Sequence, residues 1–159
     1  MKKTGIVLAL CMGLGAYAQT KKAVKVEGFS GIQASSAIEV EVTMAETEGL
    51  VFEASDEALS KLKAEVKKGS LYLHVEGNLK HDGGIKAYVN AKTLRDLGVN
   101  GAASIHVKQP VTCDKMELEA SGAGSIKLDL NAQEVIANTS GAAVIKISGT
   151  TKKLTATAT

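Results

Sequence analysis

A short phrase that occurs three times constrains this chain more than any other feature. The copies read Leu-Gly-Val-Asn-Gly-Ala-Ala-Ser-Ile-His-Val (97–107), Leu-Glu-Ala-Ser-Gly-Ala-Gly-Ser-Ile-Lys-Leu (118–128) and Ala-Asn-Thr-Ser-Gly-Ala-Ala-Val-Ile-Lys-Ile (137–147). Gly101, Gly122 and Gly141 hold the same position, so the spacings are 122 − 101 = 21 and 141 − 122 = 19. Apolar residues alternate on both sides of each glycine, which is typical of strands with one buried face. The pattern predicts an all-β solenoid with rungs of about 19–21 residues.

The three glycines predict corners, because glycine accepts the positive φ that a sharp bend requires. A polar residue precedes each of them: Asn100, Ser121 and Ser140. If the copies stack about 4.8 Å apart, these side chains would form an outward strip able to hydrogen-bond a glycan or a protein strand. The alternative is that they only shape tight turns.

A fourth copy begins at 154–159, at the same spacing of 19 from its counterpart at 135–140. The chain stops at Thr159, where the next glycine is expected, and no polar capping element is visible there. We therefore expect either that the chain is a shortened version of a longer protein or that another chain covers its open edge.

The segment 1–18 has the composition of a secretory signal peptide. Lys2 and Lys3 precede an apolar run, and Ala-Tyr-Ala at 16–18 is a cleavage motif. Cys11 is not expected to carry a lipid, because Leu10 stands where a small residue is needed. Without this segment 19 − 2 = 17 basic residues balance 17 acidic ones, which argues against nucleic acid as a partner.

The rest of the chain, 19–159, has a length that suits one domain. We expect a flexible lead-in over 19–28 and a single folded unit over 29–159, with an irregular first half. Within that half the sequence predicts strands at 38–42, 51–54 and 85–89, a helical turn at 56–59, and a hairpin of 62–66 with 71–75 around Gly69.

No arrangement of residues predicts catalysis, a cofactor or a metal ion. His74, His81 and His106 are not spaced to converge on a metal. Asp129 and Glu134 are isolated, whereas a polysaccharide lyase or hydrolase needs clustered acids. Cys113 is the one cysteine after the leader, and we expect a buried or edge thiol, with an intermolecular bridge as the alternative.

The chain resembles the family of auto-transporter adhesins with a head GIN domain, which are secreted or envelope proteins of Bacteroidetes. The resemblance lies in the Phe-Ser-Gly-Ile opening at 29–32, the Val-Glu-Val strand at 40–42, the Gly-Ser-Leu-Tyr-Leu hairpin at 69–73 and the serial Ser-Gly-Ala phrases. It implies a right-handed, single-stranded β-helix and an adhesive role, and it carries no catalytic or ligand-binding residues to transfer.

Three functions remain open. The leading hypothesis is a non-enzymatic adhesion or interaction module, exported to the periplasm or cell exterior, that binds a glycan, a matrix protein or a cell-surface protein. The second is a structural envelope protein that forms homo-oligomers through its open edge. The third and least favoured is a polysaccharide lyase or hydrolase. The aromatic residues are few and tryptophan is absent, which counts against strong sugar binding.

Overall fold

Strands account for most of the chain, as the alternating pattern predicts. The structure is a computed structural model, and it describes residues 19–79 and 84–159. Within them lie the strands β1 (Thr20–Val24), β2 (Gly31–Ala34), β3 (Ile38–Met44), β4 (Gly49–Ala54), β5 (Leu62–Lys67), β6 (Ser70–Val75), β7 (Ile85–Ala91), β8 (Asp96–Val99), β9 (Ser104–Val107), β10 (Val111–Gly122), β11 (Ser125–Gly141) and β12 (Val144–Ala158), with one short helix, α1 (Asp56–Lys61).

All twelve strands belong to one sheet of mixed orientation. The order is β1-β4-β7-β3-β9-β11-β10-β8-β2-β6-β5, and β12 pairs with β11 outside this path. The pairs β1–β4, β4–β7 and β5–β6 are antiparallel, whereas the other pairs are parallel. The sheet is a nearly closed barrel around its core, so the prediction of a right-handed, single-stranded β-helix is wrong; the prediction of an all-β protein is correct.

The physical reason for the error lies in the first half of the chain. A recurring phrase carries information about the register between its own copies, and it carries none about β1, β4 and β5. Those three strands pair antiparallel with their neighbours, which a coil of successive parallel turns cannot contain. The sequence supplied no recurring phrase from which their partners could be read.

The second half of the sheet pairs the copies of the phrase with one another. Ala120 lies opposite Val99, and Ser140 lies opposite Ser121, so the strands pair at the two spacings that separate the glycines in the sequence. Gly122 and Gly141 are direct partners and both have a φ near +75° (75° and 77°). A Cβ on Gly122 would lie 2.9 Å from the carbonyl oxygen of Gly101, so close backbone approach requires glycine here.

The core consists of the inward residues of these strands. One of its rows joins Ile32, Leu97 and Leu118, which are partners on adjacent strands and are at most 1% exposed. Burying each such side chain contributes about 1.5–3 kcal/mol. Strand β3 alternates in the same way, with Ile38, Val40 and Val42 buried, as predicted.

The short elements of the first half also agree with the prediction. Ser55 caps α1 by accepting a hydrogen bond from the N–H of Ala58 at 3.3 Å. Strands β5 and β6 form the expected antiparallel hairpin. Lys68 and Gly69 both have positive φ at its tip (52° and 79°), which is the geometry of a tight two-residue turn.

Both ends of the chain bear on earlier expectations. The signal peptide predicted over 1–18 lies outside the described residues. The segment predicted as a flexible lead-in contains β1, which pairs with β4 along its whole length. At the other end, β12 pairs with β11 alone, and in the described part of the chain no strand lies on its far side. Leu154 and Val144 are each 57% exposed on this strand.

Candidate binding surface

The outward residues of five adjacent strands form one broad surface, which we call the polar face. It comprises the outer side of β6, β2 and β8 with the second halves of β10 and β11. One row crosses it from strand to strand by direct pairing: Tyr72, Gln33, Gly98, Glu119, Asn138. The chain neighbours of Tyr72, Gln33 and Glu119 are buried, so these side chains point away from the core.

The predicted strip of Asn100, Ser121 and Ser140 lies on this face, two residues further along each strand. Ser121 and Ser140 are partners in the register, and Asn100 follows directly after Val99, the partner of Ala120. Asn100 and Ser140 are exposed, whereas Ser121 is half-buried. The Ser121 hydroxyl donates to the carbonyl oxygen of Val99 at 3.4 Å, which is the kind of local contact that the corner-forming alternative expects.

A second group on the polar face is fixed by hydrogen bonds between side chains of different strands. The Gln33 amide Nε2 donates to Asp96 Oδ1 at 3.0 Å, and the Ser70 hydroxyl donates to the same oxygen at 3.2 Å. Two glycines make room for this network. A Cβ on Gly31 would overlap the Asp96 carboxylate, and a Cβ on Gly98 would overlap the Gln33 amide. Both side chains therefore lie flat across the neighbouring strand.

Beside this fixed group stand exposed polar side chains. Tyr72 is the neighbour of Gln33 in the row and is 39% exposed. Glu119 and Asn138, partners of each other on β10 and β11, are exposed and make no side-chain hydrogen bond or ion pair within residues 19–79 and 84–159. The polar face thus offers an aromatic ring, an amide and a carboxylate to a ligand.

Another outer face, formed by β7, β3, β9 and the first half of β11, has several of its polar groups paired. Lys108 Nζ lies 2.5 Å from Glu41 Oε2, and this hydrogen bond holds the pKa of the Glu41 carboxyl below its ordinary value. Tyr88 is hydrogen-bonded to Glu53, which raises the pKa of Tyr88, and Lys21 lies 5.7 Å from its ring centre. These groups therefore satisfy one another.

An open groove of about 930 Å³ lies at the turn between the two halves of β10 and β11. Cys113 lines it and is half-buried; burial, followed by the nearby Asp114, raises the pKa of its thiol. Lys92, Arg95, Lys115 and Lys152 share the groove with Asp96, Asp114 and Glu117, so its charges are mixed. The predicted thiol is thus partly buried, and the groove shows no concentration of one charge.

His74 and His106 do not converge. His74 lies on β6 and His106 on β9, on different faces of the sheet, and His81 lies outside the described residues. Over 19–79 and 84–159 no three histidine, cysteine or acidic side chains are grouped in a way that could hold a metal ion. Asp129 and Glu134, which the sequence suggested are isolated, lie on β11, and Glu134 is paired with Lys153 at 2.7 Å. Over the same described ranges, none of the helices has both the length and the apolar character needed to cross a membrane.

The sequence did not identify Tyr72, Gln33 and Asp96 as a group. Gln33 pairs with Tyr72 on β6 and is hydrogen-bonded to Asp96 on β8, and all three residues are far apart in the chain. Neither of these two contacts joins copies of the recurring phrase. The available signal was that Gln33 and Tyr72 each stand between two buried residues. This alternation predicts that both side chains point outward, but it does not predict which strands lie next to each other.

These features define an all-β protein built on one mixed sheet with a broad hydrogen-bonding outer face. The chain belongs to the family described as "Putative auto-transporter adhesin, head GIN domain", which matches residues 28–159. The resemblance inferred from the sequence is therefore confirmed. No curated protein matches the chain.

Solved structures share the fold. A crystal structure described as a putative adhesin from Bacteroides fragilis superposes with a TM-score of 0.81 at 19% identity, over 87% of this chain and 66% of that one. A putative lipid binding protein from Parabacteroides distasonis gives 0.79 at 18% identity, over 88% and 62%. A putative adhesin from Parabacteroides merdae gives 0.79 at 18%, over 86% and 59%. The chain thus spans less than two thirds of the length of these three proteins.

Proposed function

We propose that this protein is a non-enzymatic adhesion module that acts outside the cytoplasm. The observation that carries the proposal is membership, over residues 28–159, in a family described as adhesins. Export through the signal peptide predicted over 1–18 would place the protein in the periplasm, on the outer surface or outside the cell.

The polar face is the proposed contact surface, and the strip of Asn100, Ser121 and Ser140 is part of it. In-register pairing of Ser121 with Ser140 supports this proposal, because it repeats one hydroxyl along the direction in which the strands stack. Asn100 and Ser140 are exposed and have no side-chain partner within 19–79 and 84–159. A partner that presents hydroxyls or backbone amides at a similar spacing could bond to several of them together.

The test is a binding array of glycans, matrix proteins, intact cells and phospholipid vesicles. Vesicles are included because one structural neighbour is described as lipid-binding. The protein is compared with a variant that carries Asn100→Lys, Ser121→Lys and Ser140→Lys. A matched control carries Ser104→Lys, Ser125→Lys and Ser148→Lys, which add the same charge to the other outer face and to its continuation on β12.

Circular dichroism first has to show that all three proteins are folded β proteins. Binding to a surface component that the first variant loses and the control retains would support adhesion through the polar face. Equal binding by the protein and its polar-face variant would reject that surface. The absence of any binding across the array would reject the adhesive role.

A second candidate function, self-association in the cell envelope, has one specific observation in its favour. Strand β12 exposes Val144 and Leu154 at 57% and Ile147 at 36%, along an edge with no neighbouring strand among the described residues. Unprotected apolar edges of this kind pair with other chains. Sedimentation velocity should then reveal concentration-dependent oligomers that Leu154→Lys abolishes and that Val66→Lys, an exposed apolar site on β5, leaves intact. A monomer at every concentration would contradict this candidate.

A further inference from the structure

We propose that the polar face binds a neutral oligosaccharide laid across the strands, with one sugar ring on Tyr72. This inference rests on the proposed adhesive function and names the ligand class. We call the residues that would contact the ligand the Tyr72 site: Tyr72, Gln33, Asp96, Glu119 and Asn138. They lie on adjacent strands of the polar face.

The first argument is that part of the site is already held in place. Gln33 is bonded to Asp96, and Asp96 is also bonded to Ser70, so the planar amide has one orientation before any ligand arrives. A side chain that is fixed in advance loses little conformational entropy on binding. Gly98 contributes by leaving the space in which the Gln33 amide lies.

The second argument is the exposed ring beside that amide. Tyr72 is 39% exposed and pairs directly with Gln33. An aromatic ring with a polar tip gives an apolar surface and a hydrogen-bonding group together. Sugar rings carry C–H groups on one side and hydroxyls at the rim, so they can pack on Tyr72 while their hydroxyls bond to an amide or carboxylate.

The third argument is the continuation of the row away from the ring. Glu119 and Asn138 are exposed and have no side-chain partner within 19–79 and 84–159. Asn138 lies four strand spacings from Tyr72, which is about 19 Å at ~4.8 Å per strand. Unpaired acceptors and donors at that distance suit an extended ligand rather than a single sugar.

Charge disfavours an anionic ligand. Asp96 and Glu119 place carboxylates on the site, and no cation pairs with Glu119 among the described residues. Phosphate, sulfate or uronic acid groups would meet like charge there, which is unfavourable for binding. Lys115, on the same strand as Glu119, is paired with Glu117 at 2.5 Å.

The experiment measures binding of the purified full chain to immobilised cellohexaose, laminarihexaose, mannohexaose and chitohexaose. It compares the protein with Tyr72→Ala, Tyr72→Phe and Gly98→Ala. Tyr72→Ala removes the ring, Tyr72→Phe keeps it, and Gly98→Ala displaces the Gln33 amide while it leaves Tyr72 unchanged. Tyr88→Ala is the matched control, because Tyr88 lies on the other outer face.

We expect at least one hexasaccharide to bind, with affinity lowered about tenfold or more by Tyr72→Ala, as is usual when an aromatic anchor is truncated. Tyr72→Phe and Tyr88→Ala should stay within about threefold of the parent affinity, and Gly98→Ala should weaken binding. Because Tyr72 is exposed, Tyr72→Ala should remain folded, so its result does not depend on the tolerance of Gly98 for a side chain.

Three outcomes would overturn the inference. If a hexasaccharide binds equally to the protein and to Tyr72→Ala, the ring is not part of the site. If the protein adheres to cells, matrix or vesicles through the polar face but to none of the hexasaccharides, the ligand class is wrong while the adhesive function stands. Absence of binding in every assay would reject both proposals.

Discussion

Stacked glycines at one corner of the sheet make a quantitative prediction about stability. Gly122 has φ +75°, and a Cβ there would lie 2.9 Å from the carbonyl oxygen of Gly101 on the adjacent strand. Gly69, at the tip of the β5–β6 hairpin, has nearly the same φ of +79° but nothing within 4 Å of an added Cβ. The two glycines share the backbone requirement and differ in the steric one.

The expected magnitudes follow from these two terms. An L-residue with positive φ costs roughly 1–2 kcal/mol. Replacing glycine by alanine also reduces the conformational entropy of the unfolded chain, which raises the free energy of unfolding by about 0.4–1 kcal/mol. Gly69→Ala should therefore lower the free energy of unfolding by about 1 kcal/mol. Gly122→Ala adds an overpacked contact against backbone that costs a further ~1–3 kcal/mol, for a total of about 2–4 kcal/mol.

Urea denaturation of the parent protein and the two variants measures the difference. The stacking account predicts that Gly122→Ala loses at least ~1 kcal/mol more than Gly69→Ala. Equal losses would refute it, because they would mean that positive φ is the whole requirement at Gly122. Full stability of Gly122→Ala would also refute the register that places Gly122 beside Gly101.

Two further predictions concern packing and pH. Leu118 is 1% exposed, so Leu118→Ala should lower the free energy of unfolding by about 2–5 kcal/mol, as measured by urea denaturation. The same change at its outward neighbour, Glu119→Ala, should alter the free energy of unfolding by no more than ~0.5 kcal/mol. The folded-state pKa of Glu41 is lowered by Lys108, so this pair stabilises the protein above the ordinary carboxyl range and loses that contribution as pH falls through the lowered pKa. An NMR titration should show that Lys108→Gln raises the pKa of Glu41 towards its ordinary value; an unchanged pKa would contradict this cause.

Local patterns in the sequence were sufficient for single elements. Alternation located β3, and glycine after Lys68 located the hairpin, because both signals depend on residues close together in the chain. The fold itself was not predicted correctly. Strands β1, β4 and β5 pair antiparallel through registers that nothing in the recurring phrase encodes.

The candidate site, like the fold, could be predicted only in part from the sequence. Asn100, Ser121 and Ser140 could be grouped from sequence, because each precedes a glycine of the recurring phrase. Tyr72 and Gln33 could not be grouped from the sequence, because β2 and β6 become neighbours only when the sheet forms. The sequence argument against sugar binding counted aromatic residues and did not consider their positions, whereas in the structure Tyr72 is exposed beside Gln33.

Amide shift mapping by NMR tests the polar face as a binding surface most directly. The ligand that the array identifies is titrated into the labelled protein, and shifted amides are located on the sheet. The account predicts shifts along β6, β2, β8 and the second halves of β10 and β11, centred near Gln33. Shifts confined to the groove around Cys113 or to the edge of β12 would contradict it.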